Sequence, residues 1–315
     1  PWCIRCGTSL SEHEKSESYH EVEHEAVFFK LPLKNRKEKV LVWTTTPWTL
    51  SANVALAVHP SLEYVSVKFP DEKTPLILCK EIYEKKFSKD GGEVLDTFKG
   101  TDLEGLEYEA CFPELEVQKF SHNIVLWEDV SSEDGSGIVH IAPGCGVEDF
   151  ELGERIGLKK ITPIDENGIF YDGFGFLTGK NAKEVNDLVF NKLKKQDKLF
   201  LVHKIKHSYP YCWRCKEDIL FRLDKGWGID VEELRPKLIE NAKKVKWYPE
   251  YQGKRMIDWL ENMGTWNISR KRYYGLPLPF YKCECGELTV VGSKEELIEL
   301  STDKNKVKNL KELHR

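Results

Sequence analysis

Val42 to Pro60 reads V-W-T-T-T-P-W-T-L-S-A-N-V-A-L-A-V-H-P. Lys39 to Trp43 is a short apolar run of the kind that forms a buried strand, and Thr44, Thr45 and Thr46 follow it directly. Pro47 biases Thr46 toward an extended backbone and removes a donor from the ladder. The strand is therefore expected to end in a loop that presents three hydroxyls and free backbone N–H groups. Threonine is β-branched and favours strands in any setting, so the residues alone leave two readings open, a ligand-facing loop or ordinary strand filler.

Outward from this stretch the pattern is mostly β. Short or alternating apolar runs at Ala26 to Phe29, Val40 to Trp43, Val54 to Val58, Tyr64 to Phe69, Leu76 to Cys79, Ile124 to Trp127 and Gly137 to Ala142 are separated by Pro, Gly, Asp and Lys breaks. Many short strands with such breaks read as a β-barrel-like domain. Helices are expected at Lys80 to Phe87, Val147 to Ile156 and Asn181 to Leu199, the last with Asn181 and Glu184 in capping-box spacing. After Cys215 the texture changes. Asp230 and Glu233 open a helix whose stripe holds Leu234, Leu238 and Ala242, with Pro236 placed where it could distort it. Ser293 and Glu296 cap another helix, through Leu300. Met256 to Tyr281, dense in aromatics and arginines, reads as a strand followed by a cationic loop. Arg270 and Arg272 suit a phosphate or a base face, or simply a solvated turn.

With 315 residues, 40% of them hydrophobic, the chain can bury a sizeable core and suggests about two domains. A net charge of -5 gives no global basic field, which argues against a generic DNA or RNA coater and leaves nucleic-acid contact to local Lys/Arg clusters. No apolar run approaches membrane-spanning length and Pro1 to Ser11 has no signal-peptide character, so a cytoplasmic setting is expected. The first residue is not Met and the last lies in a charged, helical-looking segment, as in a piece of something longer.

Of nine cysteines, Cys3 and Cys6, Cys212 and Cys215, and Cys283 and Cys285 are paired in sequence, while Cys79, Cys111 and Cys145 stand singly. The knuckles P-W-C-I-R-C-G-T-S and Y-P-Y-C-W-R-C-K lie too far apart for a local zinc finger. Structural zinc wants four ligands, and this spacing supplies them if everything between is an insertion whose two ends meet. Cysteines buried as small apolar residues are the alternative. K-C-E-C-G at Cys283 and Cys285 has no second pair after it, and little or no metal is expected there.

Gly135 to Leu152, G-S-G-I-V-H-I-A-P-G-C-G-V-E-D-F-E-L, is a second chemical stretch. A Gly-rich turn delivering a helix start leaves backbone N–H groups free for an anion or an oxyanion. Asp149 falls in the first helical turn, where it could serve only the helix dipole, and His140 could be an ordinary core histidine.

W-T-T-T-P-W-T-L followed by S-A-N, and G-x-G-x-V-H-x-A-P-G-x-G-x-x-D, resemble the two signature blocks of the editing domain of isoleucyl-tRNA synthetases. Valyl and leucyl relatives usually carry Arg at the place of Thr46. Both knuckles, and I-S-R-x-R-x-W-G-x-P-x-P with Tyr274 in place of Trp, follow in the family's order. Cys145 stands where many relatives have a second His. The resemblance implies a mixed α/β chain in which a β-barrel-like editing domain is inserted through a zinc-ribbon neck into a Rossmann-type class I catalytic domain, only part of which is present. The implied divisions are 1–22 and 201–225 for the neck, 23–200 for the editing domain, 226–280 for part of the catalytic domain and 281–315 for a partial second zinc segment.

It further implies hydrolysis of the ester of Val-tRNA(Ile) by an enzyme that as a whole ligates isoleucine to tRNA(Ile). Asp149 would pair with the α-ammonium of the amino acid. Thr44, Thr45, Thr46 and Asn53 would hold the terminal ribose and the ester, and Trp48 and His140 would shape the side-chain pocket. Arg270 and Arg272 would contact tRNA or nucleotide. Structural zinc would sit on Cys3, Cys6, Cys212 and Cys215, with Cys283 and Cys285 as half of a second site. One methylene in a hydrophobic pocket is worth only about 1–3 kcal/mol, a limit for which isoleucyl enzymes are themselves a standard illustration. A second pocket that excludes isoleucine by steric clash has no such ceiling. ATP and Mg would serve only the full-length enzyme, because this chain has neither a His-Ile-Gly-His nor a Lys-Met-Ser-Lys-Ser type signature and no adenylate is expected from it. A monomer without DNA or membrane partners is expected. A zinc-stapled tRNA-binding module without hydrolytic activity is the competing reading.

Overall fold

The computed structural model describes residues 1–11, 14, 18–269, 271 and 277–310. They divide into two units, Pro1–Leu223 and Asp224–Arg315. The strands of the first unit are β1 (Trp2–Cys3), β2 (Thr8–Ser9), β3 (Tyr19–Pro32), β4 (Lys39–Thr44), β5 (Ala55–Val58), β6 (Glu63–Lys68), β7 (Leu76–Cys79), β8 (Glu93–Lys99), β9 (Glu107–Tyr108), β10 (His122–Leu126), β11 (Ile138–Ile141) and β12 (Leu199–Pro210). Its two long helices are α1 (Val147–Ile156) and α2 (Asn186–Lys195).

One sheet takes in β3 to β12, with the path β8-β6-β7-β4-β11-β5-β10-β9 and the β3–β12 pair joined on through β4. It curls back on itself. Leu33, just past β3, bridges Tyr108 of β9, and Lys34 N donates to Glu107 O and Glu109 N to Pro32 O, each at 2.8 Å. The circuit β4, β11, β5, β10, β9, β3 thus returns to its start, which is the barrel-like character read from the strand pattern. β5 (A-L-A-V) and β7 (L-I-L-C) are buried at every position, as expected of strands covered on both faces, and the pairs β4–β11, β4–β7 and β5–β10 are parallel. β8, at the sheet edge, is exposed at most positions and carries Glu93, Asp96 and Lys99, charges of the kind that discourage a further strand from adding. β3 changes character along its length. Its first half, Y-H-E-V-E-H-E, runs exposed beside β12, and its second half, A-V-F-F-K-L-P, enters the core.

Two readings need correction. The helix expected over Asn181 to Leu199 is a 3-10 turn at Ala182–Glu184, α2 at Asn186–Lys195, and then β12 from Leu199. Asn181 does act as a cap, its Oδ1 accepting from Lys183 N at 3.0 Å, but for the 3-10 turn. Asp197 takes a left-handed backbone (φ 56), and the buried Lys198 Nζ donates to Ala110 O at 2.7 Å, so a tertiary anchor ends the helix where its periodicity would have run on. Lys80 to Phe87 is helical, yet only its first turn is α (Lys80–Ile82), followed by a π turn at Tyr83–Phe87.

In the second unit β13 (Gly228–Ile229) pairs with β14 (Trp266–Asn267), β15 (Phe280–Lys282) with β16 (Leu288–Val290), and the helices are α3 (Arg235–Lys244), α4 (Tyr251–Asn262), α5 (Lys294–Leu300) and α6 (Lys304–Lys308). Pro236 lies in the first turn of α3, where no intrahelical N–H bond is lost. Ser293 Oγ caps α5 by accepting from Glu296 N at 3.1 Å. The strand expected from Met256 is corrected as well, because Met256 belongs to α4 and the extended segment is only Trp266–Asn267. Arg270, Arg272 and Tyr274 lie outside the described residues.

Candidate functional site

β4 ends at Thr44, and Pro47 occupies the first turn of a 3-10 helix over Pro47–Ala52. The threonine loop between them is tied to itself: Thr46 N donates to Thr44 Oγ1 at 3.1 Å, and the Thr44 and Thr46 hydroxyls lie 3.3 Å apart. Thr44 is buried and Thr45 and Thr46 are half-buried. A fourth threonine, Thr49, fills the gap behind the loop. Its Oγ1 donates to Thr46 O at 2.8 Å, lies 3.3 Å from Thr46 Oγ1 and meets His140 Nε2 at 2.9 Å.

His140 comes from β11, which pairs with β5 on one side and, through Val139 and Trp43, with β4 on the other. Both ring nitrogens are engaged, since Asn53 Nδ2 lies 2.9 Å from Nδ1. Burial pushes the imidazole down to about 3, so the ring is neutral near pH 7 and a weak base. Asn53 is completely buried. Its Nδ2 also donates to Ala55 O at 2.9 Å, and its Oδ1 accepts from Tyr108 Oη at 2.8 Å. Both N–H groups of the Asn53 amide, expected to hold a ribose, are thus directed at protein acceptors, Ala55 O and His140 Nδ1.

Asp149 approaches the C-terminal end of the same strand. It stands in the first turn of α1, and its Oδ2 accepts from Ala142 N at 2.8 Å. Ala142 directly follows Ile141, the end of β11, and only Ile141 separates it from His140. Gly146 makes this fold-back possible, because a Cβ there would lie 3.0 Å from Asp149 Cγ. Gly144 is required by a closer approach, since its Cβ would come within 1.8 Å of Ile161 O. Asp149 is half-buried, and desolvation raises its carboxyl to about 6. Among the described residues no Lys, Arg or His forms an ion pair with it. The first turn of α1 has no side-chain cap, so its N–H groups remain available as anion donors.

A cleft of about 280 Å³ opens beside the loop, lined by Thr45, Thr46, Pro47 and Trp48 on one side and by His24, Tyr209 and Asp218 on the other. Neither His140 nor Asp149 lines it. Trp48 is buried, its ring edge-on to Phe170 with centroids 6.5 Å apart.

At the foot of the β3–β12 ribbon the knuckles meet. The Sγ atoms of Cys3, Cys6, Cys212 and Cys215 all lie within 4.8 Å of one another, with Cys3–Cys215 at 3.4 Å and Cys6–Cys212 at 4.0 Å. A tetrahedral zinc with Zn–S bonds near 2.3 Å needs S–S edges of roughly 3.8 Å, so the donor set and its spacing fit that ion. The turns match: Gly7 (φ 59) and Lys216 (φ 62) follow the second cysteine of each knuckle, and Gly7 N and Lys216 N donate to Cys3 O and Cys212 O at 2.9 Å. Cys283 and Cys285 are exposed on the β15–β16 hairpin, and no third ligand joins them among the described residues.

The model of the family described as tRNA synthetases class I (I, L, M and V) matches residues 1–314. The chain belongs to the class I tRNA synthetases. This synthetase chain is 43% identical to the isoleucine–tRNA ligase of Archaeoglobus fulgidus over 94% of its own length and 30% of the relative's. For the isoleucine–tRNA ligase of Methanocaldococcus jannaschii the identity is 39%, over 100% of this chain and 32% of the relative. It thus spans about three-tenths of the curated relatives it matches. Among solved structures it is similar to the cytosolic leucyl-tRNA synthetase editing domain of P. falciparum, with a TM-score of 0.44 and 11% identity over 56% of this chain and 99% of that one.

Two residues of this candidate site were not singled out from sequence. Thr49 had a local signal, lying three residues after Thr46 across Pro47, the span of one 3-10 turn. Tyr108 had none, because its bond to Asn53 crosses 55 positions.

Proposed function

We propose that this chain carries the proofreading site of an isoleucyl-tRNA synthetase and hydrolyses the ester of Val-tRNA(Ile). The observation that carries the reading is Asp149, a half-buried carboxylate raised to about 6 with no ion-pair partner among the described residues, tied to the end of β11, the strand that pairs with β4, from which the threonine loop leaves. Keeping such a group ionised is unfavourable unless a cation arrives. An aminoacyl ester brings one, the free α-ammonium that peptides and plain RNA lack at that place.

In this reading Asp149, which stands outside the lining of the cleft, binds the ammonium, and Thr44, Thr45 and Thr46 hold the ribose and ester through hydroxyl and backbone groups. Trp48 closes one wall of the cleft. The ester is already activated, so orienting water and donating hydrogen bonds to the developing oxyanion is sufficient. His140 is a poor candidate for the base because burial holds its ring near 3. The proton passes instead by way of the substrate's own ribose hydroxyl. The four-cysteine cluster, holding structural zinc, would staple the neck between this domain and the remainder of the synthetase. Ligation of isoleucine to tRNA(Ile) with ATP and Mg belongs, in the same reading, to the longer protein.

The test is release of valine from Val-tRNA(Ile). Asp149→Ala should lose roughly 10- to 100-fold in rate, the worth of one charge-assisted hydrogen bond, with the fold retained. An unchanged rate removes the ammonium role, and a chain that protects the ester is the non-hydrolytic tRNA-binding module.

A further inference from the structure

The contacts behind the threonine loop form a continuous chain of hydrogen bonds whose polarity can be worked out from one end. Ala55 O can only accept, so the Asn53 atom 2.9 Å from it is the amide nitrogen. Tyr108 Oη closes the other side by donating to Asn53 Oδ1 at 2.8 Å. The second N–H of the Asn53 amide then points at His140 Nδ1, 2.9 Å away, and that ring atom must offer a lone pair. A neutral imidazole with an unprotonated Nδ1 carries its hydrogen on Nε2, which donates to Thr49 Oγ1 at 2.9 Å. The Thr49 hydrogen goes to Thr46 O at 2.8 Å. What Thr49 Oγ1 has left, facing Thr46 Oγ1 at 3.3 Å, is a lone pair.

We propose that Thr49 is a positioning residue: it transmits the fixed tautomer of His140 to Thr46, holding the Thr46 hydroxyl hydrogen inward among the hydroxyls of Thr49 and Thr44, each 3.3 Å away, and leaving its oxygen as an acceptor toward the cleft. Thr46 lines that cleft, so the group it orients is an O–H donor of the bound ester complex, the attacking water or a ribose hydroxyl. The carbonyl oxygen of the ester, which has no hydrogen to give, is excluded from that contact. Asn53 and Tyr108 set the direction of the chain and touch no ligand. The inference rests on the deacylase reading for its kinetic consequence, while the tautomer is independent of it.

Long-range 1H–15N correlation of the His140 ring in the full chain is the first measurement. Hydrogen on Nε2 is expected; hydrogen on Nδ1 in the wild type overturns the proposal before any variant is made. Thr49→Val keeps the shape and removes the relay, and should lower kcat for Val-tRNA(Ile) roughly tenfold, about one buried hydrogen bond, with KM within about twofold. Thr49→Ser restores the hydroxyl and should restore kcat. Asn53→Asp replaces the donor by an acceptor and should move the hydrogen to Nδ1. Full activity in Thr49→Val, or a loss that Thr49→Ser fails to recover, contradicts the relay. If Asp149→Ala leaves deacylation intact, the ammonium role fails, and the wild-type ring spectrum and the response to Asn53→Asp still decide the tautomer.

Discussion

Asp149 and His140 are both held away from their ordinary titration ranges by desolvation, in opposite senses for stability. The Asp149 carboxyl rises from 3.8 to about 6. Between those values the fold keeps a proton that the unfolded chain has released, so this group's contribution is present at low pH and is lost as pH rises through about 6. His140 falls from 6.5 to about 3. Below 6.5 the unfolded chain takes up a proton that the fold refuses, so stability declines as the solution is acidified toward 3. In the wild type the two trends oppose each other between about pH 4 and 6. Asp149→Asn should therefore stabilise the domain at pH 7 by about 1–3 kcal/mol, a gain that vanishes near pH 4, while deacylation is lost. Urea melts at pH 4, 5.5 and 7 check the first part, and a variant no more stable than wild type at pH 7 refutes it. The wild-type deacylation rate should rise with pH through about 6, following the Asp149 carboxylate.

The start of α1 is an element built around its glycines. Gly146→Ala would put a methyl 3.0 Å from Asp149 Cγ, prying the carboxyl off Ala142 N. Deacylation should fall by about the same factor as in Asp149→Ala, with a small shift in Tm. A full-rate Gly146→Ala protein would show that the fold-back is dispensable. Strands were the most legible elements, because A-L-A-V, L-I-L-C and I-V-H-I are short apolar runs closed by turn residues. What sequence could not show was where a tertiary contact cuts an element short. The helical pattern through Leu199 stops at Asp197 because Lys198 is buried against Ala110 O, a contact crossing 88 positions. The closing of the barrel between β9 and β3 is also non-local, and residues 107–109 carry no pattern that announces it.

On the scale of the whole chain, the cysteine spacing was legible as two ends that meet, and the four Sγ atoms do converge. Metal analysis should return about one zinc per chain, not two, since Cys283 and Cys285 are exposed without a third described ligand. Chelation should lower Tm in the wild type and have little effect in Cys212→Ser; a chelator-insensitive Tm in a zinc-containing wild type would remove the stapling role. The proposed site residues Thr44, Thr46, His140 and Asp149 come from two dense motif blocks, while the groups packed behind them, Thr49 and Tyr108, are joined to them by contacts that no motif encodes. The central claim concerns one pocket that accepts a smaller aliphatic side chain and rejects a larger one. It is tested most directly by giving the chain Val-tRNA(Ile) and Ile-tRNA(Ile) side by side and following release of each amino acid. Valine should be released well above the buffer rate and isoleucine should stay attached; equal rates for the two esters, or no release of valine, would contradict the account.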